Sequence, residues 1–70
     1  MDYLVIIEKG ETSYSAYVPD LPGCVAGAET RQGLVELIRE AIELHLADLR
    51  REGGDVPAPI SDVEVIHVEG

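Results

Sequence analysis

The sequence contains no tryptophan, no phenylalanine and a single cysteine, and only five of its 70 residues are basic. One cysteine, Cys24, closes no internal disulfide. Neither it nor the two histidines, His45 and His67, falls at zinc-ligand spacing. A disulfide scaffold and a structural zinc module are therefore excluded. No apolar run approaches the ~18 residues of a membrane helix, and no charged-then-apolar leader opens the chain. A cytoplasmic location without membrane attachment is expected. The shortage of basic residues matters as much. Fourteen acids against five bases leave a formal net charge of −9, which repels phosphate backbones and suits a basic protein partner. Direct contact with nucleic acid is not expected.

What is present is a small, ordinarily hydrophobic chain: 46% of residues are apolar, enough for a folded domain rather than a disordered tail. At this length a single domain over residues 1–70 is expected, and it buries only about 60% of the surface its unfolded chain exposes. Aliphatic side chains and three tyrosines must build the core. Such a small core makes self-association, as a homodimer or higher homo-oligomer, an expected source of further burial.

Periodicity predicts the order β-β-β-α-β. The stretch DYLVIIEKG is rich in β-branched residues and stops at a turn signal. In SYSAYVP, Tyr14, Ala16 and Val18 alternate along one face of a second strand. CVAGAE gives a short third strand with small side chains. Thr30 then offers an N-cap hydroxyl to a long helical pattern, RQGLVELIREAIELHLADLRREG. Leu34, Ile38, Ala41, Ile42, His45, Leu46 and Leu49 share one face of that helix. Glu36, Arg39, Glu40, Glu43 and Arg50 occupy the other, and Gly53 and Gly54 supply the stop. DVPAP is a stiff connector, and SDVEVIHVE reads as a last strand. A right-handed crossover through the helix would set that strand beside the first, parallel to it. The expected fold is thus α+β, a mixed four-stranded sheet of order 3-2-1-4 with one helix on one face. The first strand is apolar on both sides, and a single helix covers only one of them.

Three kinds of chemistry compete for these residues. A thiol enzyme needs a base or cation beside Cys24; His45 instead sits among the apolar helix residues, and a cysteine opening a small-residue strand is a small buried hydrophobe. A residual metal-dependent ribonuclease needs carboxylates converging from strand and helix, whereas Asp2 and Glu8 lie at the ends of the first strand and the helix acids face solvent. No glycine loop cradles a phosphate, and no metal or cofactor is expected. The remaining class is a binding module. In it, PDLPGC is architectural: Pro19 ends a strand, Asp20 bonds neighbouring backbone, and Pro22-Gly23 form a turn with glycine at positive φ.

The run YSAYVPDLPGC, followed by AETRQGLVELIREAIELHL and REGGDVPAP, closely resembles the N-terminal domain of HicB antitoxins, including the small stand-alone HicB-like proteins. The resemblance covers nearly the whole chain. It implies a partial ribonuclease-H-like fold and a non-enzymatic role: neutralising a small basic toxin of the HicA type, which cleaves messenger RNA. The family's frequent C-terminal DNA-binding domain is not expected within these residues. Tyr14, Asp20, Leu21, Pro22, Gly23 and Cys24 match the family motif. Pro22, Gly23 and Cys24 are expected to serve fold shape. Partner contact is expected of Tyr14, Asp20, Leu21 and nearby Glu29. The alternatives left open are the residual ribonuclease and a solitary binding module without a toxin.

Overall fold

The computed structural model describes all residues from Met1 to Gly70. Three antiparallel strands, β1 (Ile6–Lys9), β2 (Tyr14–Tyr17) and β3 (Val25–Ala28), precede one helix, α1 (Arg31–Arg51). The sheet order is β1-β2-β3, three-quarters of the expected 3-2-1-4 arrangement. Ile7, Ala16 and Ala26 stand opposite one another across the ladder, as do Ile6, Tyr17 and Val25. Alternation along a strand then places the first row on the helix side and the second on the open side.

The fourth strand is the point of difference. Residues 61–69 carry the alternating apolar pattern of a strand but make no ladder. Val63, Val65, Ile66 and Val68 are all more than 60% exposed. A strand is completed by a neighbour, and this segment has none within the molecule. The ribonuclease-H-like closure implied by the resemblance is likewise not displayed. The first strand is also shorter than its composition predicts. Its partner β2 ends at Tyr17, just before the Pro19 turn, so residues 2–5 have nothing on that side to pair with.

The core shows what the PDLPGC stretch is for. Six residues are buried: Ala16, Val18, Leu21, Cys24, Leu34 and Ile38. Four of them lie between positions 16 and 24, so the second strand and its loop supply most of the core and the helix the remainder. Two consecutive turns shape the loop. The Leu21 N–H donates to the Val18 carbonyl at 3.0 Å, and the Cys24 N–H to the Leu21 carbonyl at 3.0 Å. The second turn has Pro22 then Gly23 at its centre, with Gly23 at φ 87°, the type II geometry. The Val18 N–H closes the loop onto the Cys24 carbonyl. Together the turns fold Leu21 inward, where it is wholly enclosed.

Replacement of Gly23 follows from this geometry. A Cβ there would meet nothing within 4 Å, so the penalty is conformational, not steric crowding by neighbours. We expect Gly23→Val to lower unfolding free energy by about 1–3 kcal/mol, read from urea midpoints. Gly23→Ala should cost less. A valine variant as stable as the parent would show that the turn tolerates another shape.

The helix begins and ends as its sequence dictates. Thr30 is extended, and its hydroxyl accepts from the Gly33 N–H at 3.0 Å, satisfying one of the orphan donors of the first turn. At the far end the Gly54 N–H donates to the Leu49 carbonyl and the Gly53 N–H to the Arg50 carbonyl. With Gly53 at φ 75°, this is a Schellman stop. Arg50 and Arg51 complement the negative end of the helix dipole.

Candidate functional site

Asp20 is the polar centre of the loop, and its carboxylate is already engaged. Oδ2 accepts from the backbone N–H groups of Ile60 at 3.1 Å and Ser61 at 2.9 Å. Oδ1 accepts from the Ser61 hydroxyl at 2.8 Å. The Tyr3 hydroxyl donates to the Pro57 carbonyl. The connector after the helix therefore crosses one end of the sheet, tied first beside Tyr3 and then at the β2–β3 loop. The Ser61 backbone and hydroxyl, with a smaller contribution from Ile60, hold the Asp20 carboxyl below its ordinary value; slight desolvation opposes them.

The sign of this shift sets a pH dependence. A carboxylate with a lower pKa folded than unfolded contributes its grip above the ordinary value of 3.8. That grip disappears as pH falls through the lowered value. The Ile60 and Ser61 amide resonances should therefore titrate with a midpoint below 3.8. Both amides should lose hydrogen-exchange protection at neutral pH in Asp20→Ala. A midpoint at or above the ordinary value would mean that the grip does not persist in solution.

The other motif residues are placed as follows. Leu21 is enclosed in the core rather than displayed on the surface. Cys24 is buried and free; burial pushes its thiol pKa up, away from the thiolate that nucleophilic chemistry requires. Pro22 and Gly23 form the outer corner of the turn. Tyr14 is half-buried on the helix side of β2, and Glu29 is exposed just before the helix. The motif thus brings Asp20, Leu21 and Cys24 together around one loop and leaves Glu29 apart from them. His45 is half-buried on the inner helix face.

Two further surfaces are formed. On the open side of the sheet, Ile6, Tyr17 and Val25 form a cross-strand row, with Tyr17 and Val25 exposed and Glu8 on the same face. The alternation of Tyr14, Ala16 and Val18 along one face of β2 puts Tyr17 on the other. The second surface is a groove of about 530 Å³ between the N-terminal segment and the helix. Tyr3, Val5, Ile42 and Leu46 form part of its apolar wall, and Arg39 and Arg50 line it. Both arginines belong to the helix face assigned to solvent by periodicity; they are exposed but flank this groove.

No three His, Cys, Asp or Glu side chains converge as a group that could hold a metal ion. No helix is long and apolar enough to cross a membrane.

Comparison with known proteins agrees with this picture. A family model described as the HicB_like antitoxin of bacterial toxin-antitoxin systems matches residues 3–69. A UPF0150 protein of Helicobacter pylori is 45% identical over 47 residues, covering 67% of this chain and 65% of that protein. A UPF0150 protein of Archaeoglobus fulgidus is 37% identical over 70 residues, covering 99% of this chain and 90% of that one. Another from Thermoplasma acidophilum is 32% identical over 68 residues, covering 96% and 99%. The chain thus spans just under two thirds of the Helicobacter relative and nine-tenths or more of the archaeal ones. No solved structure matches significantly.

Proposed function

The chain belongs to the HicB-like antitoxin family, and from that premise we propose that it binds and neutralises a small basic RNA-cleaving toxin of the HicA type. The observation that carries this reading is the family match across residues 3–69. The net charge of −9 supports it, because an acidic module complements the basic surface that an RNA-cleaving protein presents to its substrate. Inhibition in this reading is by occlusion: the antitoxin covers the toxin's RNA-binding face and performs no chemistry of its own. Exposed Tyr17 and Val25 with half-buried Ile6, and Glu8 beside them, offer a small apolar anchor inside an acidic rim. Aromatic anchors surrounded by polar groups are a common composition for an interface centre. Glu29 lies on the acidic rim in this reading, and Tyr14 and Asp20 act from behind it by fixing the strand and loop.

The test is a cleavage assay. Labelled messenger RNA is incubated with a purified HicA-type toxin encoded beside this gene, with and without the protein. Protection that saturates at a fixed ratio of the two proteins, and that weakens in Tyr17→Ala, is the expected result. RNA cleavage by the protein alone with Mg²⁺ or Mn²⁺ would favour the residual ribonuclease instead. An absence of any toxin-directed protection would leave a solitary binding module.

A further inference from the structure

We propose that two copies of this chain exchange their C-terminal segments, residues 62–70 of each pairing as a fourth strand along the free edge of β1 in the other. The argument starts from two unfinished parts of one molecule. β1 is an edge strand, with backbone donors and acceptors on its outer side available for pairing. Beside it lies the apolar groove walled by Val5, Ile42 and Leu46. Residues 63–68, Val-Glu-Val-Ile-His-Val, have the β-branched composition of a strand, yet Val65 is 90% and Ile66 74% exposed. A vacant strand position and an unused strand of suitable length occur in the same chain. At roughly 3.3 Å per residue, nine extended residues reach about 30 Å, enough to run alongside residues 2–9.

The Asp20 grip decides which copy supplies the strand. The connector passes Tyr3 at Pro57, then crosses to the β2–β3 loop, where three hydrogen bonds hold Ile60 and Ser61. The segment therefore departs two to three strand spacings, roughly 10–14 Å, from the vacant edge on the far side of β1. To fill its own groove it would have to release Asp20 and double back. The segment of a second copy meets no such restriction. Overall dimensions agree with a projecting segment: the radius of gyration is 13.9 Å, with extents of 48 × 27 × 17 Å, against about 11 Å for a compact chain of this length.

Charge does not oppose the same occupant. Two of the chain's five basic residues, Arg39 and Arg50, line the groove, and the segment carries Asp62, Glu64 and Glu69. Asp2 and Glu43 also line the groove, so its two positive and two negative side chains balance. The groove thus lacks the acidic excess of the chain as a whole, and an acidic apolar strand meets no net repulsion there. Exchange of an identical element between protomers is a low-cost route to a two-fold dimer, and addition of a strand to an open edge is a common recognition mode.

The test uses the full chain. Sedimentation at micromolar concentration should give a dimer. Val65→Lys with Ile66→Lys, which alters only exposed positions of the single copy, should weaken it by at least about a hundredfold in dissociation constant. A mixture of isotope-labelled and unlabelled chains should show contacts between the valines of one segment and Val5, Ile42 or Leu46 of the other copy. A monomer across that range, a dimer indifferent to the double substitution, or contacts found only within one copy would each overturn the proposal.

Discussion

Leu21→Ala is expected to remove a large share, about half, of the folding free energy. The side chain is wholly enclosed, so its truncation loses both transfer free energy and packing around the cavity left behind, about 2–5 kcal/mol in total. A chain of 70 residues has a stability of only about 4–10 kcal/mol to begin with. Leu21 also lies between two turns: its N–H and its carbonyl each close one of them. Loosening the side chain thus frees the loop that positions Asp20 and, through it, the connector after the helix. Urea unfolding followed by circular dichroism gives the measurement. A midpoint little changed from the parent would show that the six-residue core described above is not what holds the molecule together.

Leu34→Ala provides the internal comparison. It is equally enclosed in the same core cluster and should cost a similar amount, but it lies on the helix and its backbone closes neither turn of the loop. If burial alone governs stability, the two variants are alike. If the loop transmits strain, hydrogen exchange at Ile60 and Ser61 should accelerate more in the Leu21 variant than in the Leu34 variant at matched denaturant midpoints.

What was legible in the sequence is local, and what was not is long-range. Thr30 as cap, Gly53 and Gly54 as stop and Pro22-Gly23 as turn are each decided by residues within one turn of one another, and each is found where its residues place it. The shared face of Tyr14, Ala16 and Val18 was equally readable from alternation. The Asp20 contacts were not: its partners lie 40 and 41 positions away, and no spacing rule links an aspartate to amides that distant. The fourth strand fails for the same reason in another form. Residues 61–69 have strand composition, but composition specifies only a willingness to pair. Whether pairing occurs within the chain depends on the path of the connector, and that path is fixed by Tyr3 and Asp20. Partner contact was expected of Leu21 as one of the residues that match the family motif; the two successive turns fold it into the core instead.

Reversing acids outside the loop is expected to slow capture of a basic toxin at low ionic strength by at least about tenfold. The choice of residues follows from the structure. Asp20 is unsuitable, because its carboxylate holds Ile60 and Ser61 and its loss would disturb the connector as well as the field. Glu29, Glu36 and Glu40 are exposed. Each Glu→Lys change adds two charges, so three shift the formal net charge of −9 by six, to −3. Folding should suffer little. Glu36 and Glu40 already repel one another one turn apart on the helix, and two lysines repel similarly; Glu29 forfeits only a helix-dipole contribution of about 0.3–1 kcal/mol. Stopped-flow mixing with the toxin across a salt series separates encounter from retention. For the parent, association should slow steeply as the screening length shrinks from about 30 Å at 0.01 M to about 10 Å at 0.1 M. The triple variant should start lower and show a flatter slope, while dissociation stays nearly constant because apolar contacts such as those offered by Tyr17 and Val25 govern it. Equal salt slopes for parent and variant would mean that the acid of this chain serves solubility and plays no part in finding a partner.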